Sequence, residues 1–331
     1  VVDSGVEQVF VTDTVNVADG VSLSDMEVAL EAERGMEFAD IDFDVTGLAS
    51  DIVANASDLS GASVVTVTDI ADASEGAALN ALEDSLVGDD SQAAVQFNVA
   101  DSASAVASEL AGDNTALDNA EGLVVTSGNT DMVGAADIQG VDGYDSGASL
   151  YTVSDTAGAV LGDTDTAIDA GVSAINVDGA VGAGVGVQLG ELEDARFDAG
   201  FSSDVNFNVA DDAGDIATAL AGDNTALDNA EGLVVTSGNT DMVGAADIQG
   251  VDGYDSGASS YTISDTAGAV LADTDTAIDA GVGAINVDGA VGAGVGVQLG
   301  ALEDASFDAG FSSDVNFNVA DDAGDIATAL A

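Results

Sequence analysis

Three acidic loops recur along the chain at spacings that suit a hard cation. One is Asp142-Gly143-Tyr144-Asp145, which returns from Asp252 to Asp255. Another is Asp163-Thr164-Asp165, which returns from Asp273 to Asp275. The third places Asp113-Asn114 just ahead of Asp118-Asn119 and returns at Asp223 and Asp228. Carboxylate and amide oxygens close together around glycine offer Ca2+ the roughly six to eight oxygen ligands it takes. None of these loops completes the helix-loop-helix calcium motif. The same aspartates also read as helix caps and turn initiators, and spacing alone leaves both readings open. Asp101, Asp155, Asp211, Asp265 and Asp321, each directly after a strand-like phrase, are expected to cap the helix that follows.

Catalytic chemistry finds little to work with. The sequence contains no His, Cys or Lys to act as base, nucleophile or oxyanion partner. Its basic residues are Arg34 and Arg196 alone. A carboxylate pair could in principle hydrolyse a glycoside, but no pair stands out from the repeated Asp background. The stretch Gly179-Ala180-Val181-Gly182-Ala183-Gly184 misses both the dinucleotide and the Walker spacing, and no Lys follows it. It reads instead as a place of close packing. The chain is expected not to be an enzyme.

Against two basic residues stand 62 acidic ones, a net charge of −60. Nucleic acid and anionic membrane surfaces are excluded as partners, because both require Lys and Arg. Uncharged runs such as Gly179 to Gly190 are too short to cross a bilayer. No basic segment followed by an apolar stretch opens the sequence at Val1, so a secretion signal is expected to be absent or removed. Without Cys there is no disulfide, and without Lys no isopeptide cross-link, leaving non-covalent contacts and ions to hold the fold. Strong acidity often means disorder. Here 47% of residues are hydrophobic and only 4% aromatic, which predicts an ordered chain with a thin core of Val, Ala, Ile and Leu.

Internal repetition organises the whole sequence. Residues 111–220 and 221–330 are copies with six differences, among them Leu150/Ser260, Val153/Ile263 and Arg196/Ser306. Residues 1–110 form a diverged copy, whose first 40 residues align only after a shift of about four. Three blocks follow: 1–110, 111–220 and 221–331. Within them the phrase Phe97-Asn98-Val99-Ala100-Asp101 returns as Tyr151 to Asp155, Phe207 to Asp211, Tyr261 to Asp265 and Phe317 to Asp321. A second strand-like phrase, Ala174-Ile175-Asn176-Val177-Asp178, lies about midway between two of these. The elementary unit is therefore about 27 residues, by the arithmetic of repeat periods.

The Phe207 phrase alternates in polarity, as a half-buried strand should. Ala213, Ile216 and Leu220 then fall at helical spacing on one face, and Gly222 supplies a stop. Strand, Asp, short helix, glycine-rich turn and next strand predict an α/β tandem-repeat solenoid with a parallel sheet. An all-β solenoid is the alternative, because short helices rich in Thr, Gly and Asp are intrinsically weak.

These Ala-, Asp- and Thr-rich arrays, with phrases such as Ser154-Asp155-Thr156-Ala157, resemble those of very large secreted bacterial surface, surface-layer and adhesin-type proteins. The resemblance implies extracellular or cell-surface structural or adhesive work, often calcium-assisted. The Gly-Gly-x-Gly-x-Asp nonapeptide of calcium-binding rolls is absent, so any Ca2+ site is of another kind.

The expected function is a structural polymer, a subunit or segment of a filament or surface fibre. A calcium-stabilised stalk or binding region of a giant adhesin is the rival, and adaptation to high salt a third reading of the acidity. Assembly is expected head to tail between copies of the chain. Phe317, Val319, Ile326 and Leu330 form a last strand and helix with no following strand, and Val9, Phe10 and Val11 form a first strand without the preceding phrase. An excerpt from a longer array would give the same fibre. Stacked coils would form a rod charged more densely than duplex DNA, at about one charge per 1.7 Å, so cations are expected partners.

Overall fold

The computed structural model describes residues 9–34, 41–59, 61–86, 94–201, 204–222, 225–311 and 313–331, except for the side chains of residues 31–34. The chain forms two compact units, one of Val1–Ser154 with Asp165–Ser173, the other of Asp155–Thr164 with Ala174–Ala331.

Strands and helices alternate along most of the chain. The order begins β1 (Val9–Phe10), β2 (Val15–Asn16), α1 (Val17–Arg34), β3 (Ile41–Gly47), α2 (Ala49–Ala54), β4 (Ala62–Ala71) and α3 (Ala73–Leu86). It continues β5 (Ala94–Ser102), α4 (Ala103–Leu110), β6 (Gly122–Ser127), β7 (Asn129–Thr130), α5 (Met132–Gly140), β8 (Tyr151–Asp155), α6 (Ala157–Gly162) and α7 (Thr164–Ala167). Next come β9 (Val172–Val181), α8 (Ala183–Asp198), β10 (Asp204–Asp212), α9 (Ala213–Gly222), β11 (Gly232–Ser237), β12 (Asn239–Thr240) and α10 (Met242–Gly250). The last elements are β13 (Tyr261–Asp265), α11 (Ala267–Ala272), α12 (Thr274–Ala277), β14 (Val282–Val291), α13 (Ala293–Asp308), β15 (Asp314–Val319) and α14 (Ala323–Ala329). The class is α/β with parallel sheets, and the helices overturn the all-β alternative.

In the first unit a parallel ladder runs β1-β3-β4-β5-β6, with β2 also on β3, and β7 pairs β8. In the second unit the ladders are β9-β10-β11 and β12-β13-β14-β15. The registers place β-branched residues side by side on the inner face. Val45 pairs Val65 and Val65 pairs Val95. Ile175 pairs Val205, while Ile263 pairs Ile285 and Ile285 pairs Val315. All eight of these side chains are buried. Such rows suit a pleated, covered surface, and each full burial contributes about 1.5–3 kcal/mol.

The Phe207 phrase is a strand, with Val205, Phe207 and Val209 inward and Asn206 and Asn208 less covered. After it, Ala213, Ile216 and Leu220 are the buried face of α9. A weak ten-residue helix thus persists because one apolar stripe is packed, not because of its propensity.

The step from one strand to its partner is not uniform. Paired residues step by 20 from Val45 to Val65, by 30 from Val65 to Val95 and by 24 from Val99 to Leu123. Recurrence every 27 residues averages over unequal strand-to-strand steps. The longest step carries a bulge: Asn206 pairs Asn176, yet Asn208 pairs Ala180. Gly179 lies in that bulge at φ +77°, and Gly289 in the equivalent one at φ +79°, a backbone region where glycine is at ease.

Candidate functional site

The aspartates that end the strand phrases do not cap the helices that follow them. The residue after each one does. Ser102, Thr156, Thr266 and Asp322 are the N-caps of α4, α6, α11 and α14, and each accepts a bond from a first-turn N–H. Asp212 does the same for α9, taking Gly214 N at 2.9 Å and Asp215 N at 3.1 Å. The preceding aspartates reach sideways instead, to the first residue of a helix in the previous coil. Asp101 Oδ2 accepts from Ala73 N at 3.1 Å, Asp211 Oδ2 from Ala183 N at 2.9 Å, and Asp321 Oδ2 from Ala293 N at 2.9 Å. Asp265 does so with Met242 N at 3.1 Å, and Asp69 with Ala49 N at 2.8 Å. Three of the targets have no side-chain cap of their own: α2 follows Leu48, and α8 and α13 follow Gly182 and Gly292, whereas Asp72 and Asp241 cap α3 and α10. A Cβ on Gly182 would sit 3.0 Å from Asp211 Oδ2, so glycine makes room for the carboxylate. Backbone bonds from Ala293 and Asp322 hold the Asp321 carboxyl below its ordinary value.

Cap and sideways bond together gather carboxylates. Asp211, Asp212 and Asp215 bring their oxygens within 4.8 Å of one another, as do Asp321, Asp322 and Asp325. The charges of Asp212 and then Asp211 push the Asp215 carboxyl up. Among the described residues these are the two groups in which three or more carboxylates come close enough to share an ion. The signal for them, Asp-Asp-x-x-Asp across a helix start, is plain in the sequence. Block 1 has Asp101, Ser102 and Ala105 at the same places and no triad.

The expected loop residues occupy turns and caps. Asp145 Oδ1 accepts from Gly147 N and Ala148 N, both at 3.1 Å, and Asp255 Oδ1 from Gly257 N and Ala258 N. Asp113 accepts from the Thr115 hydroxyl at 2.7 Å and from Thr115 N, which holds its carboxyl low. Asp273 caps α12 through Thr276. Asp163 ends α6, while Asp165 and Asp275 lie in the first turns of α7 and α12. Two loop families do meet. Burial raises the Asp118 and Asp228 carboxyls, and the charges of Asp142 and Asp252 respectively push them further. Asp223 lies outside the described residues.

Glu83 and Glu193 escaped sequence reasoning altogether. Each is held high chiefly by burial, and each takes a backbone N–H, from Val95 and Val205 respectively. One turn after Glu193, Arg196 is completely buried in α8 and draws the Glu193 carboxyl back down. Block 1 places Leu86 at that position and block 3 places Ser306, both buried.

The expected assembly residues form an apolar face. In β10 and α9, Phe207, Val209, Ile216 and Leu220 are all buried, with β11 paired on one and α10 packed on the other. Their counterparts are less covered: Phe317 and Ile326 are half-buried, Val319 is 45% exposed and Leu330 83%. Gly190 tells the same story, since a Cβ there would collide with the Ala226 carbonyl, whereas one on Gly300 would meet nothing. At the other end of the sequence, Val9 and Val11 are half-buried and Phe10 is 65% exposed. Val11 N donates to Asp42 O at 2.9 Å.

No helix among the described residues is long and apolar enough to cross a membrane. No protein-family model, curated protein or solved structure matches this chain.

Proposed function

We propose that this chain is a structural protein of the extracellular space or cell surface: a subunit or segment of a filament whose acidic coils stack as a tandem-repeat solenoid, head to tail. The observation that carries the reading is the repeated packing of one strand–helix unit on the next: Phe207, Val209, Ile216 and Leu220 are buried, with β11 paired on β10 and α10 packed on α9, as β6 pairs β5 and α5 packs on α4. Units that stack in this way, in near-identical blocks, suit an end-on array, and an end-on contact that does not close on itself builds fibres. Nothing catalytic is assigned, in keeping with a sequence that lacks His, Cys and Lys.

Charge opposes the assembly. At −60 per chain, stacked copies repel until cations screen them, so cations, Ca2+ among them, belong to the proposal. Electron microscopy of the purified chain tests it. Filaments are expected in molar salt or millimolar Ca2+ and dispersed particles in dilute buffer with chelator. Dispersed particles under all conditions would end the polymer reading.

The calcium-stabilised stalk of an adhesin is the second reading, favoured by the triads at Asp211, Asp212, Asp215 and at Asp321, Asp322, Asp325. A monomer that binds Ca2+ stoichiometrically and never polymerises would favour it over the filament.

A further inference from the structure

The last turns of α8 and α13 differ at one buried position. Arg196 is completely buried there, and Ser306, which takes its place in the third block, is buried to 1% exposure. In α8 the guanidinium lies beside Glu193, whose carboxyl its charge draws down. It also stands in the last turn, where a cation answers the negative end of the helix dipole. The helix α13 keeps the glutamate, as Glu303, but has no basic residue in its last turn.

The backbone does not close over this difference. Each helix ends on an alanine at φ −72° and ψ −7°, Ala199 in one and Ala309 in the other. Each is followed by a glycine at φ +88°, Gly200 and Gly310. Phe201 N donates to Arg196 O at 3.1 Å, and Phe311 N to Ser306 O at 3.0 Å. The strands that the two helices pack on start in the same register, Ala174 with Asp204 and Ala284 with Asp314. Leu189 and Leu192 are buried as deeply as Leu299 and Leu302. Among the other five differences between the blocks, only Val153/Ile263 and Gly162/Ala272 add atoms, a single carbon each. Serine therefore reaches only the near part of the space that arginine fills. Its Oγ is buried and has no hydrogen-bond partner among the described residues, an arrangement that buried hydroxyls seldom keep.

We propose that the third block binds a small monovalent cation where the second carries the Arg196 guanidinium, with Ser306 Oγ and the Glu303 carboxylate holding it at the end of α13. Water would satisfy the hydroxyl alone. A cation also answers the carboxylate and the last carbonyls of the helix, as Arg196 does in α8. The field of a chain with net charge −60 concentrates cations around it. An alkali ion and free guanidinium share the chemistry required, whereas a bulky quaternary ammonium ion does not fit a buried space.

The test uses the full chain at constant ionic strength, with choline chloride replaced by potassium chloride or by dilute guanidinium chloride. Hydrogen-exchange mass spectrometry reads the amides of Ala309, Gly310 and Phe311, which bond back to the last turn of α13. Those of Ala199, Gly200 and Phe201 are the internal control, and peptides that include residue 306 or 196 tell the two sets apart by mass. Potassium or guanidinium is expected to slow exchange in the first set by more than about threefold and to leave the second unchanged. Slowing by potassium alone would assign an alkali ion, and slowing by guanidinium alone a planar cation. Ser306→Arg supplies the residue of the second block, and Ser306→Leu that of the first. Both should remove the ion-specific slowing, and Glu303→Gln should weaken it. Exchange that is equal in all three salts, that slows equally in both sets, or that still responds to the ion in Ser306→Leu would overturn the site.

Discussion

The carboxylate of Asp211 accepts a hydrogen bond of 2.9 Å from the backbone N–H of Ala183, a residue 28 positions earlier, at the start of the preceding helix. That N–H opens α8, whose own cap position is Gly182. One strand–helix unit therefore completes the helix of another, and the same bond joins Asp101 to Ala73 and Asp321 to Ala293. A bond of this kind couples neighbouring coils in a way that side-chain packing alone would not.

Removing it should loosen both. Asp211→Ala is expected to cost about 1 kcal/mol, the usual worth of a helix cap. Amide exchange at Ala183 should accelerate, as read by hydrogen-exchange mass spectrometry. Asp212→Ala, by contrast, should accelerate exchange at Gly214 and Asp215, the amides that it caps. Unchanged exchange at Ala183 in Asp211→Ala would show that the bond does not protect the α8 start.

Glycine substitution separates a covered face from a bare one within a single molecule. Gly190→Ala forces a methyl against the Ala226 carbonyl, and Gly300→Ala puts the same methyl into open space. The first should destabilise by about 1–3 kcal/mol through overpacking. The second should stabilise by about 0.5–1 kcal/mol, since alanine is the better helix former. Urea denaturation of the two variants measures the difference. Two equal effects would mean that the packing of α8 and α13 is the same.

Acid should first strengthen the fold. Burial holds Glu83 and Glu193 above the ordinary glutamate value of 4.5, and Asp118 and Asp228 are raised above 3.8. Groups with raised pKa bind protons more readily when folded, so stability climbs as pH falls from 7 through their folded values and levels off below the unfolded ones. Asp113 and Asp321 are held low, and their contribution is present above 3.8 and lost as pH falls through their folded values. The melting temperature in constant salt is expected to rise from neutral pH toward 4.5 and to drop only below 3.8. A melting temperature that falls steadily from pH 7 would contradict this ordering.

Arg196 stands where block 1 carries Leu86, fully buried in both settings or nearly so. Taking a guanidinium out of water is costly, and apolar replacements of buried charges are often neutral or stabilising. Arg196→Leu should melt at or above wild type by calorimetry, and Arg196→Ala below it because of the space left behind. Loss of several kcal/mol in Arg196→Leu would show that the charge beside Glu193 is needed for folding.

How far did the residues announce all this? The strand at Phe207, the helix face of Ala213, Ile216 and Leu220, and the α/β class follow from periodicity that the structure repeats. The caps do not, because Asp211 and Asp212 are chemically alike neighbours. Only the coil lying alongside decides that one turns inward along its own helix and the other sideways to Ala183. Burial of Arg196 was equally invisible, since its block mates Leu86 and Ser306 share no chemistry with it. The triad at Asp211, Asp212 and Asp215 was legible but lost among many other aspartates. Unequal coils stayed hidden because steps of 20, 30 and 24 residues average out in the recurrence of a single phrase.

Those steps also bear on how the chain reaches its fold. The ladder partners lie 19 to 32 residues apart, so closing each loop costs little entropy and the parallel topology does not impose the usual kinetic delay. Such a chain zips from whichever pair forms first. Near-identity of residues 111–220 and 221–330 sets a trap along that route. Val99 and Val209 seek the same kind of partner, Leu123 or Leu233. A zipper that skips from β5 to β11 leaves a whole block looped out with every contact at the splice satisfied. Lengthening the loop from 24 to 134 residues adds only about 1.5 kcal/mol, so loop entropy does little to choose the right partner, and local proximity during synthesis must.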